Sequence, residues 1–295
     1  MSALKTAEEQ AVSGLTQPTA RYTLFGGEVQ VLVFGRPANY AGLSNHQNTN
    51  QPALETIAGW AASYGVLEVF APSARDFNAR VVDPDLEHFT QKREMGSVVF
   101  RTGVSADGVL MHRPKSAFFI ASADCPTLIL RLPNGKIVAA HAGRDCLIDR
   151  GRLSGGSPSR MHESVVFAAT SHYHGEYEKI QSVLICGIGP TNFFHFCGRH
   201  SGDKVAAFKN RQMISDFQKR WGHKCVLLPI GDGRLNLYEA VKGQLDSVGV
   251  PTDRTSFFHD HSDTFRDRLA DGSAKYHSHR RDKDGCRNGV LVVRL

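Results

Sequence analysis

The sequence is short of several things, and each shortage closes off a class of protein. No apolar run approaches the roughly 20 residues that a membrane helix needs, so no membrane partner is expected. The first 20 residues, MSALKTAEEQAVSGLTQPTA, hold no apolar core of the kind a signal peptide carries. They read as a loosely packed tail, which leaves 21–295 as one folded unit. The six cysteines, at 125, 146, 186, 197, 225 and 286, include no CxxC pair, which argues against a disulfide framework. Scattered thiols suit a reducing, cytoplasmic compartment. There is no Walker loop, no GxGxxG after a strand and no repeat at a solenoid period. Basic runs interleaved with aromatics are missing too, so the formal charge of +6 does not argue for nucleic acid. It favours small anions such as phosphate or nucleotides.

What is present is an ordinary globular composition, 41% hydrophobic and 22% charged. Many strands and about five helices in alternation predict a single α/β domain of packed layers. Residues 21–36, RYTLFGGEVQVLVFGR, read as a hairpin about Gly26-Gly27. Residues 52–64 read as a helix with Leu54, Ile57, Ala58 and Ala61 on one face, stopped by Gly65. Asp107-Gly108 reads as a turn before the strand VLMHR, and residues 160–176 as a helix. Further helices are expected over DKVAAFKNRQM, ISDFQKRW and LNLYEAVKGQLDS, and strands over SVLICGIGP and the apolar C-terminus.

The most informative stretch is 118–143, FFIASADCPTLILRLPNGKIVAAHAG. It reads as two buried strands, FFIASADC and IVAAHAG, with the apolar TLILRL and a turn at Pro133-Asn134-Gly135 between them. Strand pairing would bring Cys125 and His141 together. A thiol and an imidazole so placed either hold a metal or work as a nucleophile and its base. The plain alternative is a buried thiol and a satisfied core histidine.

ADCPTLIL followed by AAHAG resembles the ADC…HAG signature of the YfiH-like family, also called the multicopper polyphenol oxidoreductase or laccase-domain family. The resemblance runs from about residue 30 to the end. It implies an α/β/β/α sandwich with mixed sheets and a zinc ion held by a His, by Cys125 and by His141. It further implies phosphorolysis of adenosine, inosine or methylthioadenosine, with deamination of adenosine. Tyr40, Ser44 and Asn45 stand where that family has a Tyr- and Asn-containing segment lining the substrate site. The ending YHSHRRDKDGCRNG is similar to its closing Ser-Tyr-Arg-Arg-Asp…Gly-Arg, which places Arg280, Arg281 and Arg287 as substrate-binding residues. Asp124, Asp282 and Arg144 join them as candidates for proton transfer and charge stabilisation. The partners implied are a nucleoside and phosphate, for a monomer or a homodimer.

Two departures bear on chemistry. The family's first zinc ligand lies in a Gln-Val-His-Gly segment that this chain lacks. The equivalent place falls near Ser73 or Glu94; His88, 37 residues before Cys125, is the substitute at a plausible distance. After His141 the family's Trp-Arg-Gly becomes Arg144-Asp145-Cys146. A metal-free hydrolase or deamidase with Cys125 as nucleophile and His141 as base is therefore the alternative. A non-catalytic family member is the third reading. The pairs His172/His174, His259/His261 and His277/His279 have His-x-His spacing and read as surface residues.

Overall fold

Alternation along the strands sets the layering. In β8, Ser116–Ser122, Phe118 and Ile120 face one way and Ala117 and Phe119 the other, and all four are buried. Such a strand needs apolar cover above and below. The computed structural model describes residues 14–43, 50–74, 76–149, 157–197, 203–227, 232–253, 256–257 and 263–295, and supplies both covers.

A seven-stranded sheet runs β1 (Ala20–Leu24), β2 (Val29–Phe34), β16 (Asn288–Arg294), β8, β3 (Glu68–Phe70), β6 (Val98–Thr102) and β5 (Gln91–Met95). A six-stranded sheet runs β15 (Ser256–Phe257), β11 (Gln181–Ile185), β9 (Thr127–Arg131), β10 (Ile137–His141), β7 (Gly108–Met111) and β4 (Val81–Val82). Both mix parallel and antiparallel pairs. Between them, Val31, Phe118, Ile120 and Val292 share a buried cluster with Ile129, Ile137 and Val183. Helix α1, Gln51–Ser63, covers the outside of the first sheet, with Leu54, Ile57 and Trp60 against Leu32, Phe119 and Leu291. The outside of the second carries Leu128, Leu130 and Val138 into a cluster with α2 (Val165–Thr170), α3 (Lys204–Trp221) and α4 (Leu237–Ser247). The order is α/β/β/α, as the resemblance implied. A small sheet of β12 (Phe194–Phe196), β14 (Asp232–Leu235) and β13 (Val226–Leu227) flanks it. No helix among the described residues is long and apolar enough to cross a membrane.

Three local expectations change. The hairpin at Asn134-Gly135 joins β9 to β10, with Gly135 at φ 78° and its N–H on Leu132 O at 2.9 Å. The strand before Cys125 is not part of it: β8 pairs with β16 and β3 in the other sheet. Residues 123–126 cross between the sheets, and Cys125 rides on that crossing. Asp107-Gly108 is not a free turn either. Gly108 opens β7 opposite Ala140, where an added Cβ would lie 2.6 Å from the Ala140 Cβ. The helix expected over 160–176 is confined to α2. Ser164 caps it by accepting from Phe167 N, and Arg160 before it binds the carbonyls of Phe77, Asp145 and Glu163.

Candidate active site between the two sheets

His141 ends β10, opposite Thr127. Thr127 is two residues beyond the crossing, so register and crossing together bring Cys125 beside the imidazole. The ring has two distinct sides. On one, Nδ1 lies 3.5 Å from Asp107 Oδ1 and 3.4 Å from Cys146 Sγ. Cys146 donates to the same Asp107 oxygen at 3.1 Å, and Asp107 Oδ2 accepts from Ala79 N at 2.7 Å. Asp107 and Cys146 are fully buried. On the other side, the Cys125 sulfur lies near the ring. A Cβ added to Gly143 would lie 2.8 Å from Nε2 and 2.9 Å from Cys125 Sγ, so both atoms border one small space. Burial alone would lower the His141 pKa; the Cys146 and Cys125 sulfurs and the Asp107 hydrogen bond outweigh it and hold it well above the usual imidazole value. Burial pushes the Cys146 thiol up to about 12.

Cys125 and His141 open into a cavity of about 520 Å³ that Asp124, Arg144, Arg280 and Arg287 also line. Arg144 Nη1 and Arg280 Nη2 point at Nε2 of buried His195, at 3.3 and 2.8 Å. Guanidinium groups only donate, so this nitrogen accepts and the ring is neutral. The Arg280 guanidinium lies over the Phe193 ring, 5.0 Å from its centroid. Burial and then the Arg144 charge press its pKa down, against the pull of Asp124 and Cys125. Asp124 is a positioning residue: Oδ1 accepts from Thr264 Oγ1 and Oδ2 from Arg280 N, both at 2.9 Å. It ties the sheet crossing to α5, His279–Asp282, the short turn that carries Arg280.

Other candidates are placed elsewhere. Tyr40 is fully buried against Phe34, with ring centroids 5.6 Å apart, and does not border the cavity. Arg281 spends its N–H groups on the carbonyls of Thr264, Phe265 and Tyr276 and on Asp282. Its role is to fold the chain around α5. Asp282 is its partner and that of Arg36 at 2.6 Å. His88 is exposed between β4 and β5 and is not among the cavity's lining residues; Glu94 is exposed on edge strand β5. At the place near Ser73, the cavity wall is Pro72, Ala74 and Phe77, with the Phe77 ring 6.2 Å from that of His141. Ser44 and Asn45 lie outside the described residues, as do His259 and His261. His277, expected at the surface, is buried.

Asp107, Cys146 and His195 were not singled out from sequence as site residues. A buried acid directly before a strand was a usable signal for Asp107. His195 had none, because it reaches Arg144 and Arg280 from the flanking sheet.

The sequence matches the family described as multi-copper polyphenol oxidoreductase laccase over residues 73–294, well over half of the chain. The chain belongs to this laccase family. Among solved structures it resembles YlmD from Geobacillus stearothermophilus, with TM-score 0.59, 17% identity, and 90% of this chain and 91% of that one covered. Bacillus licheniformis YfiH gives 0.55 at 16% identity, covering 90% and 93%. Neisseria meningitidis NMB0706 gives 0.53 at 15%, covering 90% and 94%. At such identities these likenesses establish the fold. No curated protein matches.

The laccase family's description implies a metal, and the donors test that. One group that could hold an ion shares His141: Asp107, His141 and Cys146, all buried, with donor atoms 3.1 to 3.5 Å apart. It has no side open to the cavity, which suits a structural ion rather than a catalytic one. On the cavity side, Cys125 and His141 Nε2 have no third free donor among the described residues: Asp124 is committed as above, and Asp145 pairs with Arg144 at 2.6 Å. The zinc set implied by the resemblance is therefore incomplete there. The His-x-His pairs do not converge, since each candidate metal group among the described residues contains a single histidine.

Proposed function

We propose that the cavity cleaves purine nucleosides by phosphorolysis, taking adenosine, inosine or methylthioadenosine, with deamination of adenosine at the same site. The observation that carries this reading is that Cys125 and His141 open into the same cavity as Arg144, Arg280 and Arg287. A phosphate oxygen forms the new bond to ribose C1′ while the C1′–N9 bond breaks, and the purine leaves with a proton. Guanidinium groups suit the incoming anion. His141 Nε2 is the group placed to pass a proton to the departing base. No step is assigned to zinc, because the cavity-side donors among the described residues number two.

The test is to assay ribose 1-phosphate and ammonia with the three nucleosides, before and after chelation, with metal content measured. Cys125→Ala and His141→Ala should each lower turnover by roughly 10²- to 10⁴-fold. Absence of product from every nucleoside in metal-replete protein would overturn the proposal.

One observation favours a second reading, a hydrolase or deamidase with Cys125 as nucleophile. Asp107 stands at Nδ1 while the Cys125 sulfur borders the same small space as Nε2, the order in which an acid orients a base beside a nucleophile. Iodoacetamide should then label Cys125 stoichiometrically at neutral pH, and more slowly in His141→Ala. An unreactive Cys125 counts against it.

A further inference from the structure

A second cluster lies in the segment behind the cavity rim. His277 is 4% exposed, and its position is fixed by buried Asn288, which accepts from His277 N and donates to His277 O, both at 2.8 Å. Its Nε2 lies 2.8 Å from Ala38 O. A carbonyl only accepts, so Nε2 carries the proton and Nδ1 keeps its lone pair. That Nδ1 is buried and has no hydrogen-bond partner among the described residues. A buried polar atom left in this way calls for an occupant. Two side chains lie close to this ring: one of its nitrogens, a carboxylate oxygen of Asp284 and the Cys286 sulfur are all within 4.8 Å of one another.

We propose that His277, Asp284 and Cys286 form a site for a thiophilic divalent cation of the zinc class, separate from Cys125 and His141. The donor set is one imidazole, one carboxylate and one thiolate, with a fourth position left for water. The tautomer is the one metal-binding histidines adopt, with the remote N–H on a backbone carbonyl. Binding releases the Cys286 thiol proton to solvent, so a divalent ion meets two negative charges. Arg36, the nearby cation, does not compete strongly: it lies 2.6 Å from Asp282 and 4.0 Å from Asp284. Cys286 and Asp284 are the partly exposed members, and they supply the rotamer freedom to close from separations of up to 4.8 Å to the roughly 3.3–3.8 Å edge of a tetrahedral zinc shell. Gly285 and Arg287, which alternate with these two donors, line the cavity. An ion here fixes the loop that presents Arg287.

The test uses the full chain, stripped with chelator and titrated with Co²⁺, then with Zn²⁺ as competitor. Bound equivalents and the thiolate-to-cobalt charge-transfer band are read in wild type, Cys286→Ser, Asp284→Asn and Cys125→Ser. Cys286→Ser should lose one tight equivalent and its share of the band, and Asp284→Asn should bind that equivalent at least tenfold more weakly. Cys125→Ser should retain it. Hydrogen exchange at 283–287 should slow on adding Zn²⁺ to wild type and not to Cys286→Ser. Equal binding and exchange in wild type and Cys286→Ser would overturn the proposal. The readout does not depend on turnover, so its failure is distinct from failure of the nucleoside reading.

Discussion

At the scale of single residues, the site depends on a missing side chain. Gly143 has φ −71° and ψ 160°, which any residue adopts, so only space demands glycine there. Gly143→Ala would place a methyl 2.6 Å from His141 Cε1 and 2.9 Å from Cys125 Sγ. The ring is held from behind, so Cys125 must give way. Turnover and the rate of Cys125 labelling should fall tenfold or more, while urea unfolding shows a loss of about 1–3 kcal/mol at most. Asp282 gives a pH-dependent prediction. Burial raises its pKa, but Arg281, Ser278 N and Arg36 outweigh that and hold it well below the usual carboxylate range. A depressed folded value means the contribution is present above the unfolded pKa, near 4, and is lost as pH falls below it. Asp282→Asn should be less stable by about 1–3 kcal/mol at pH 7. The gap between the two urea midpoints should shrink steadily below pH 4; a gap independent of pH would remove the account.

At the scale of elements, caps and registers carry the geometry. Asn236 caps α4, its side chain accepting from Glu239 N at 3.2 Å. Asn236→Ala should cost about 1 kcal/mol, and Asn236→Asp should keep the cap, as read by thermal or urea unfolding. The β9–β10 hairpin was legible because Asn134-Gly135 admits positive φ. Its partner was misread because β8 is as apolar as β9, and an apolar run does not say which sheet owns it. The expected helix at 160–176 contracted for a related reason. Ser164 starts the helix as its cap, and Arg160 before it bonds to the carbonyls of Phe77 and Asp145, which other segments supply.

At the scale of the whole molecule, the last strand is among the first things the fold needs. β16 lies between β2 and β8, and Leu291 and Val292 enter the two clusters on opposite faces of its sheet. Leu291→Ala should destabilise by about 2–5 kcal/mol in urea unfolding. Deleting residues 288–295 should abolish cooperative unfolding altogether, since it opens both clusters and leaves β2 and β8 unpaired on facing edges. A truncated chain with a normal cooperative transition would refute this placement.

Periodicity, turn chemistry and caps act over a few residues, so the sequence by itself determined the strands, the main helices, the layered α/β class and the adjacency of Cys125 to a strand end. It also supplied His141 and Arg280 as candidate site residues, which line one cavity, through motifs that fall within short segments. The meeting of Cys125 and His141 was expected from the sequence through strand pairing; only the tertiary structure decided that a crossing between sheets brings it about. The same holds for Asp107 and Cys146 behind the ring, for His195 receiving two arginines, and for Tyr40 and Arg281 standing apart from the cavity. Those relations join residues far apart in the chain, and packing between layers, which has no local signature, is what brings them together.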